Sequence, residues 1–594
     1  MNSPFANASA NIATNPLLRT PQRLAHQALV DLAATPDPER DAAIVLPVGC
    51  GKSGCIALAP FAFGARRVLV IAPNVAIAKQ LARDFDPASR SYFYTRFGVL
   101  TDGGPFPEPA DIRGTTANRG DLDAAHVVIT NIHQLQGTKN RWLRTLPADY
   151  FDLLLFDEGH HNTAASWTVL REKFPAARVV SYSATPVRGN GDLMLGRILY
   201  AHPVGDAVKA GYVKFLSSHA LNPATLKFCR EDEPDIEIGL DDVRMLGELD
   251  AEFRRSIVSS DETLQTIVDA SIGELRRLRA ESGESRLKII ACALNLAHCG
   301  QVTRAYAQAG MRADFVHSKR DAAANRDVMR RLSRHELDVI VQVRKLGEGF
   351  DHPLLSVAAV FNIFGHLSPF VQFVGRIMRV IRQNAPEALI NRGVVVFHAG
   401  ADIASRWQDF RQFSKADQDY FDELLSPERR KRRRVKRKVL PRLPPDPLSV
   451  HDQTWLDVEV IPLVDAEPAL DMSPRVSSVG DVGPDLAPGR PRPVLTTLVH
   501  ERRERRAALA EQIPGEVKDI LQSRGIHARA CSPERRHFGR PYFAVLKAAV
   551  DKHVNALAGV KSGQRAELTR AQLDEIDAGF DSAVLRAVAE VFRG

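Results

Sequence analysis

Two short stretches of this sequence pair residue types that do phosphate chemistry. The apolar run AAIVLP (42–47) leads directly into Val48, Gly49, Cys50, Gly51, Lys52 and Ser53. Glycines let backbone N–H groups converge on phosphate oxygens, a lysine answers the β/γ charge, and a hydroxyl at a helix N-terminus can ligate Mg²⁺. Gly49, Gly51, Lys52 and Ser53 supply those parts with Cys50 among them, although Leu46 stands where the general G-x-x-x-x-G-K-[ST] pattern has its first glycine. A glycine turn that merely joins a strand to a helix would read the same way. Further on, FDLLLF (151–156) runs into Asp157, Glu158, Gly159 and His160. An acid at the end of a strand beside a phosphate loop can hold Mg²⁺ through water, and a following glutamate can orient and deprotonate an attacking water. Two adjacent carboxylates after a buried strand are costly unless a cation satisfies them, which links the second stretch to the first.

The elements that must carry these stretches follow from periodicity. Up to residue 208, short β-branched runs such as RVLVIAP (67–73), HVVITN (126–131) and RVVSYSATP (178–186) alternate with helical stretches. Near-continuous apolar strands separated by helices predict a parallel sheet covered on both faces. The rhythm restarts at KIIACALN (288–295) and runs through DVIVQV (338–343) to GVVVFHA (393–399), giving a second α/β unit over 288–425. Residues 209–287 read as a helical connector or insert, 426–499 as a basic run and a flexible Pro-rich linker, and 500–594 as a small α-helical domain.

Over about residues 15–400 the chain resembles a superfamily 2 helicase or translocase of the DEAD/DEAH-box class. It is most similar to the bacterial branch related to type III restriction ATPase subunits and to RadD-type and XPB-type proteins. The resemblance implies two RecA-like domains in tandem with ATP and Mg²⁺ between them. LRTPQ (18–22) would be the adenine-sensing element, with Gln22 reading the base; GCGKS would be the nucleotide loop, and DEGH (157–160) a DEAH variant with Gly159 for alanine. Ser53 and Asp157 would hold the metal, and Glu158 would activate water, with His160 completing the catalytic motif. Pro73 in IAPN (71–74) and Thr130 in ITN (129–131) would shape loops against a nucleic-acid backbone, and Ser183 and Thr185 of SAT (183–185) would couple hydrolysis to movement. In the second domain, Gly349 and Asp351 of LGEGFDHP (346–353) would turn the chain and sense nucleotide. In QFVGRIMR (372–379), Gln372 would join the coupling set, and Arg376 and Arg379, three apart on one helix face, would reach the γ-phosphate. The motif V threonine that some helicases carry is replaced near Val343. A strand-separating aromatic is not assignable: Phe106, Phe215 and Phe364 all read as packing.

Composition narrows the partners. The formal charge of +8 would fall to −1 without the nine cations of RRKRRRVKRK (429–438), namely Arg429, Arg430, Lys431, Arg432, Arg433, Arg434, Lys436, Arg437 and Lys438. Such a run can neutralise phosphates and release counterions, which predicts a nucleic-acid clamp beside the motor, helped by ERRERR (501–506) and ERRHFGR (534–540), or else a solvated tether. DNA is favoured over RNA on the likeness of DEGH and LGEGFDHP to the DNA-directed branch; a protein complex would form through the C-terminal helices. A non-unwinding duplex translocase and an ATP-gated clamp are the competing functions. Six cysteines without a C-x-x-C pair predict a reducing, cytoplasmic setting and no zinc ribbon. No secretory signal and no membrane span are expected. His161 reads as a hydrogen-bonding surface residue, and Asp574, Glu575, Asp577 and Asp581 as solvated helix faces rather than a nuclease site.

Overall fold

The computed structural model describes residues 3–36, 39–100, 106–113, 119–137, 140–158, 164–185, 196–230, 234–343, 352–415, 448–456, 458–464, 497–531 and 539–592. The first domain is built on seven strands, β1 (Asp41–Val45), β2 (Val68–Ala72), β3 (Pro109–Asp111), β4 (Val127–Asn131), β5 (Leu153–Asp157), β6 (Arg178–Ser183) and β7 (Arg197–Ala201). They lie in the order β3-β4-β2-β5-β6-β1-β7, and every pairing is parallel. On β2, Val68, Val70 and Ala72 face one core while Leu69 and Ile71 face another. Burial on both faces is why these strands read as uninterrupted apolar runs.

The second domain holds β8 (Phe215–Leu221), β11 (Lys288–Ala293), β12 (Ala313–Val316), β13 (Val339–Gln342), β14 (Leu355–Phe361), β15 (Arg392–His398) and β17 (Glu459–Pro462), between which lie β9 (Pro223–Arg230), β10 (Ile236–Gly239) and β16 (Leu448–Trp455). The sheet order is β12-β13-β11-β14-β15-β8-β17; β9, β10 and β16 form a separate antiparallel sheet. The two parallel-sheet α/β units are tandem RecA-like domains.

Two stretches differ from the sequence reading. Residues 209–287 are not a helical connector alone, because β8 lies parallel to β15 from Phe215↔Arg392 to Leu221↔His398. The helix Asp261–Ser282 that follows buries Ile267, Val268 and Leu275 in the core beneath that sheet. Likewise the span read as a linker contains β16 and β17, and β17 pairs antiparallel with β8 to close the edge of the second sheet. The basic run 429–438 lies outside the described residues.

The C-terminal helices Leu498–Ser523, Tyr542–Leu557 and Arg570–Phe592 pack on one another around a core that includes Ile513, Val517, Leu546, Val550, Ile576 and Ala583. Among the described residues no helix is long and apolar enough to cross a membrane.

Candidate active site

The phosphate-loop candidates sit at the C-terminal end of β1. Gly49 (φ 96°) and Gly51 (φ 87°) both occupy the left-handed region that L side chains avoid. A Cβ on Gly51 would also lie 2.6 Å from the Gln22 amide nitrogen. The loop is thus a cradle that only a bare backbone can form, and it feeds the helix Lys52–Phe63, on whose first turn Lys52 and Ser53 stand. Gln22 is locked on this loop. Its Nε2 donates to the Gly51 carbonyl (3.1 Å), and its Oε1 accepts from the Arg19 backbone N–H (3.0 Å).

β5 brings Asp157 and Glu158 opposite the loop. Lys52 Nζ is 2.9 Å from Glu158 Oε1, with both side chains nearly covered. Burial alone would lower the lysine pKa, but the Glu158 and Asp157 carboxylates outweigh it and the value is raised, so the ammonium stays charged. Glu158 holds φ 49°, a conformation that costs a non-glycine residue about 1–3 kcal/mol and is typical of sites where function fixes the backbone. Cys50 is the exception in the loop: it is fully buried, its thiol is pushed up to about 12 by desolvation, and it turns away from the cleft into the core.

The second domain closes the other side. Together the domains enclose a cleft of about 1210 Å³, lined from the first by Gln22, Gly49, Gly51, Lys52, Ser53, Asp157 and Glu158, and from the second by Gln372, Arg376 and Arg379. Close approach requires Gly375: a Cβ there would lie 2.9 Å from the Val371 carbonyl oxygen and 3.0 Å from Val48 of the phosphate loop. Arg376 and Arg379 do not share a helix face, as their spacing predicted. The helix Leu367–Val374 ends before them, because the chain turns at Gly375 and Arg379 is drawn into an antiparallel bridge with Val213. Both arginines still reach the cleft, and Arg379 is close enough to Lys52 and Arg19 to disfavour their charge.

Ser183 and Thr185 are buried at the end of β6. Ser183 Oγ donates to the Thr185 carbonyl (2.6 Å) and accepts from the Thr185 N–H (3.1 Å), and Thr185 Oγ1 donates to Ser368 Oγ (3.2 Å) on the helix that carries Gln372. Pro73 follows β2 and is half-buried, ahead of the helix Val75–Phe85 capped by Asn74. Thr130 is buried, and its hydroxyl donates to the Ile112 carbonyl (3.2 Å), so its side chain is turned into the protein. Gly159, His160, His161, Gly349 and Asp351 lie outside the described residues.

Three further residues line the cleft, Arg19, Tyr212 and Gln383. Arg19 donates to the Gly49 carbonyl and to Gln383 Oε1 (2.7 Å), and its guanidinium lies 5.2 Å from the centroid of the Tyr212 ring. Arg19 could have been taken from LRTPQ itself; Tyr212 and Gln383 could not, since nothing near them in sequence marks them.

ERRERR, read as a helper to the nucleic-acid clamp, is corrected by its partners. Arg502 and Arg506 both pair with Asp121 (2.7 and 3.1 Å), Arg503 with Asp111 (2.7 Å), and Arg505 with Asp574 and Asp577 (2.8 and 2.6 Å). The Glu108 carboxylate accepts the Val499 N–H (2.8 Å) at the N-terminus of the helix Leu498–Ser523, and Val499 is buried in a first-domain core. Arg502, Arg503 and Arg506 thus dock the C-terminal helices on the first domain beside β3, whereas Arg505 ties two of those helices to each other.

Residues 15–188 match the family model described as type III restriction enzyme, res subunit, and residues 274–381 that of the helicase conserved C-terminal domain. Over 374 residues the chain is 23% identical to the DNA 3'-5' translocase XPB2 of Sulfurisphaera tokodaii, spanning 57% of this chain and 75% of that protein. Over 109 residues it is 28% identical to UvrABC system protein B of Campylobacter fetus, 18% of this chain and 15% of the relative. A fragment structure of a putative HsdR subunit of a type I restriction enzyme from Vibrio vulnificus aligns with TM-score 0.44 and 16% identity over 68% of this chain and 70% of that one.

Proposed function

We propose that this chain, a superfamily 2 helicase-type ATPase related to the type III restriction and XPB-type proteins, is a motor that converts ATP hydrolysis into movement along DNA, in repair, restriction or phage defence. The observation that carries the reading is the two-sided cleft, with Lys52, Asp157 and Glu158 from one RecA-like domain facing Gln372, Arg376 and Arg379 from the other.

The residues fit MgATP: the cradle of Gly49 and Gly51 admits only backbone, Lys52 and Ser53 open a helix, and Asp157 is a buried carboxylate beside them. When bound, MgATP supplies the phosphoanhydride whose hydrolysis drives the cycle. Lys52 would answer phosphate charge, and Ser53 and Asp157 would take the metal. Glu158, held against Lys52, accepts the proton of the attacking water. Arg376 and Arg379 neutralise charge that develops on the transferred group, so turnover requires the second domain to be in place. The Thr185–Ser368 hydrogen bond passes that closure to the helix of Gln372. The test is ATPase activity with single-stranded DNA, duplex DNA or RNA at fixed salt. Stimulation by DNA is expected, and no stimulation by any of the three refutes the motor.

One observation favours translocation without strand separation. Phe215 and Phe364 are buried, and Phe106 packs edge-on against Tyr92 (5.7 Å), so none of the three aromatics stands out as a wedge. The translocase is expected to displace a triplex-forming strand from duplex DNA and to leave a forked duplex paired; strand release from the fork would favour the helicase instead.

A further inference from the structure

The chain crosses from the first domain to the second at residues 211–214, and the last of these is a lysine with no surface exposure. Lys214 Nζ donates to the carbonyl oxygens of Pro353 and Leu355 (both 2.8 Å) and to Ser356 Oγ (2.9 Å), which uses all three of its protons. Among the described residues it makes no ion pair, and burial lowers its pKa to about 7. Burying a cation without a counter-charge is expensive, a cost that an apolar side chain of equal length would avoid. Its three acceptors have a common address: Pro353 ends LGEGFDHP, and Leu355 and Ser356 open β14 directly behind it. The backbone of the same residue points the other way. The Lys214 N–H donates to the Met378 carbonyl (2.7 Å), and the preceding Val213 bridges Arg379.

We infer that Lys214 is a positioning residue for ATP turnover, tying the exit of LGEGFDHP to the segment that presents Arg379 and fixing both to the point where the chain crosses the cleft. This rests on the ATPase reading above. Lys214 does not line the cleft; it acts through Arg379, which does. The two segments thereby move as one piece when the domains close, and the arginine arrives in register with the rest of the second domain.

The test is Lys214→Met, assayed for DNA-stimulated turnover beside thermal unfolding. The expected result is a fall in kcat of about 10- to 100-fold, the scale set by a misplacement of about 1 Å at reacting groups. The KM for ATP should change less than about twofold, as befits a group that acts on the transition state. On an Arg379→Ala background, Lys214→Met should add no further loss in kcat, a non-additivity that a merely structural lysine would not produce. Wild-type kcat in folded Lys214→Met, or losses that simply multiply in the double variant, overturns the inference. If Lys214→Met does not fold, Ser356→Ala removes one acceptor and should give a smaller loss with the same dependence on Arg379; full activity would then be the refuting outcome. Hydrogen exchange separates this inference from the motor reading. If the wild type shows no DNA-stimulated turnover, the motor fails, whereas faster exchange of the Lys214 amide in the variant still supports the tie and unchanged exchange removes it.

Discussion

Replacing Asp121 with asparagine should release the C-terminal helices from the first domain. Asp121 is 2% exposed and takes Arg502, 8% exposed, on one oxygen and Arg506 on the other. The asparagine keeps the shape and removes the charge, leaving two covered guanidiniums without their counter-ion. Breaking a buried pair from one side costs about 3–5 kcal/mol. At about 1.4 kcal/mol per factor of ten, the docking equilibrium shifts by about 10²- to 4 × 10³-fold. Arg503 supplies an internal control. Its side chain is 40% exposed, so Asp111→Asn should cost less than about 1 kcal/mol. Hydrogen exchange by mass spectrometry reads the difference directly. Peptides over 498–506 should lose protection in Asp121→Asn, while the helices Tyr542–Leu557 and Arg570–Phe592, which carry most of their own core, stay protected. Undiminished protection at 498–506 would refute the docking argument, as would an equal response to Asp111→Asn.

Three further outcomes follow from the same geometry. Glu158→Gln should retain ATP binding and lose turnover by about 10²- to 10⁴-fold, the usual contribution of a positioned general base; full biological activity without turnover would favour the clamp over the motor. His500 Nε2 lies 2.9 Å from the Asp86 carboxylate, and the hydrogen bond it donates there raises its pKa. Its contribution to docking is therefore complete below the unfolded value of about 6.5 and fades as pH rises through the higher folded value, so protease cleavage near 497 should accelerate on alkalinisation, and His500→Ala should abolish the slope. Neutralising the nine cations of 429–438 should weaken DNA binding and flatten its dependence on salt, by up to about 0.9 in log–log slope for each phosphate no longer neutralised, while basal ATP hydrolysis persists.

What the sequence made legible depended on how local the physical signal was. β1, β2 and β5 are buried on both faces, so their apolar runs stand out, and the glycines and acids at their C-terminal ends follow directly. β8 hid itself because FLSSHAL interleaves Ser217, Ser218 and His219 with its apolar residues, and its partner β15 is remote in sequence. Arg376 and Arg379 were legible as a pair by resemblance, but helical spacing misplaced them, since the helix stops at Gly375 and Arg379 is held by its bridge to Val213, a partner remote in sequence. ERRERR failed for a related reason. A run of cations announces charge and leaves open who answers it; here Asp111 and Asp121 do so from the other end of the chain, with Asp86 answering the neighbouring His500.

These placements bear on how the cleft can open. The C-terminal helices ride with the first domain through Asp121, whereas β16 and β17 ride with the second, so any domain movement changes the distance between residues 464 and 497. The 32 residues between them could span about 105–115 Å if fully extended, far more than a hinge motion demands. By length alone, that connection sets no limit on closure. The 211–214 crossing is different, because it has no slack: the Gly211 carbonyl accepts the Asn384 N–H (3.3 Å), Val213 bridges Arg379, and Lys214 is held at both its backbone and its ammonium. Rotation of one domain on the other must then be taken up on the first-domain side of Gly211, about the helix Val204–Lys209. Loosening the crossing should uncouple turnover from closure, whereas lengthening the 465–496 connection should leave the coupling intact.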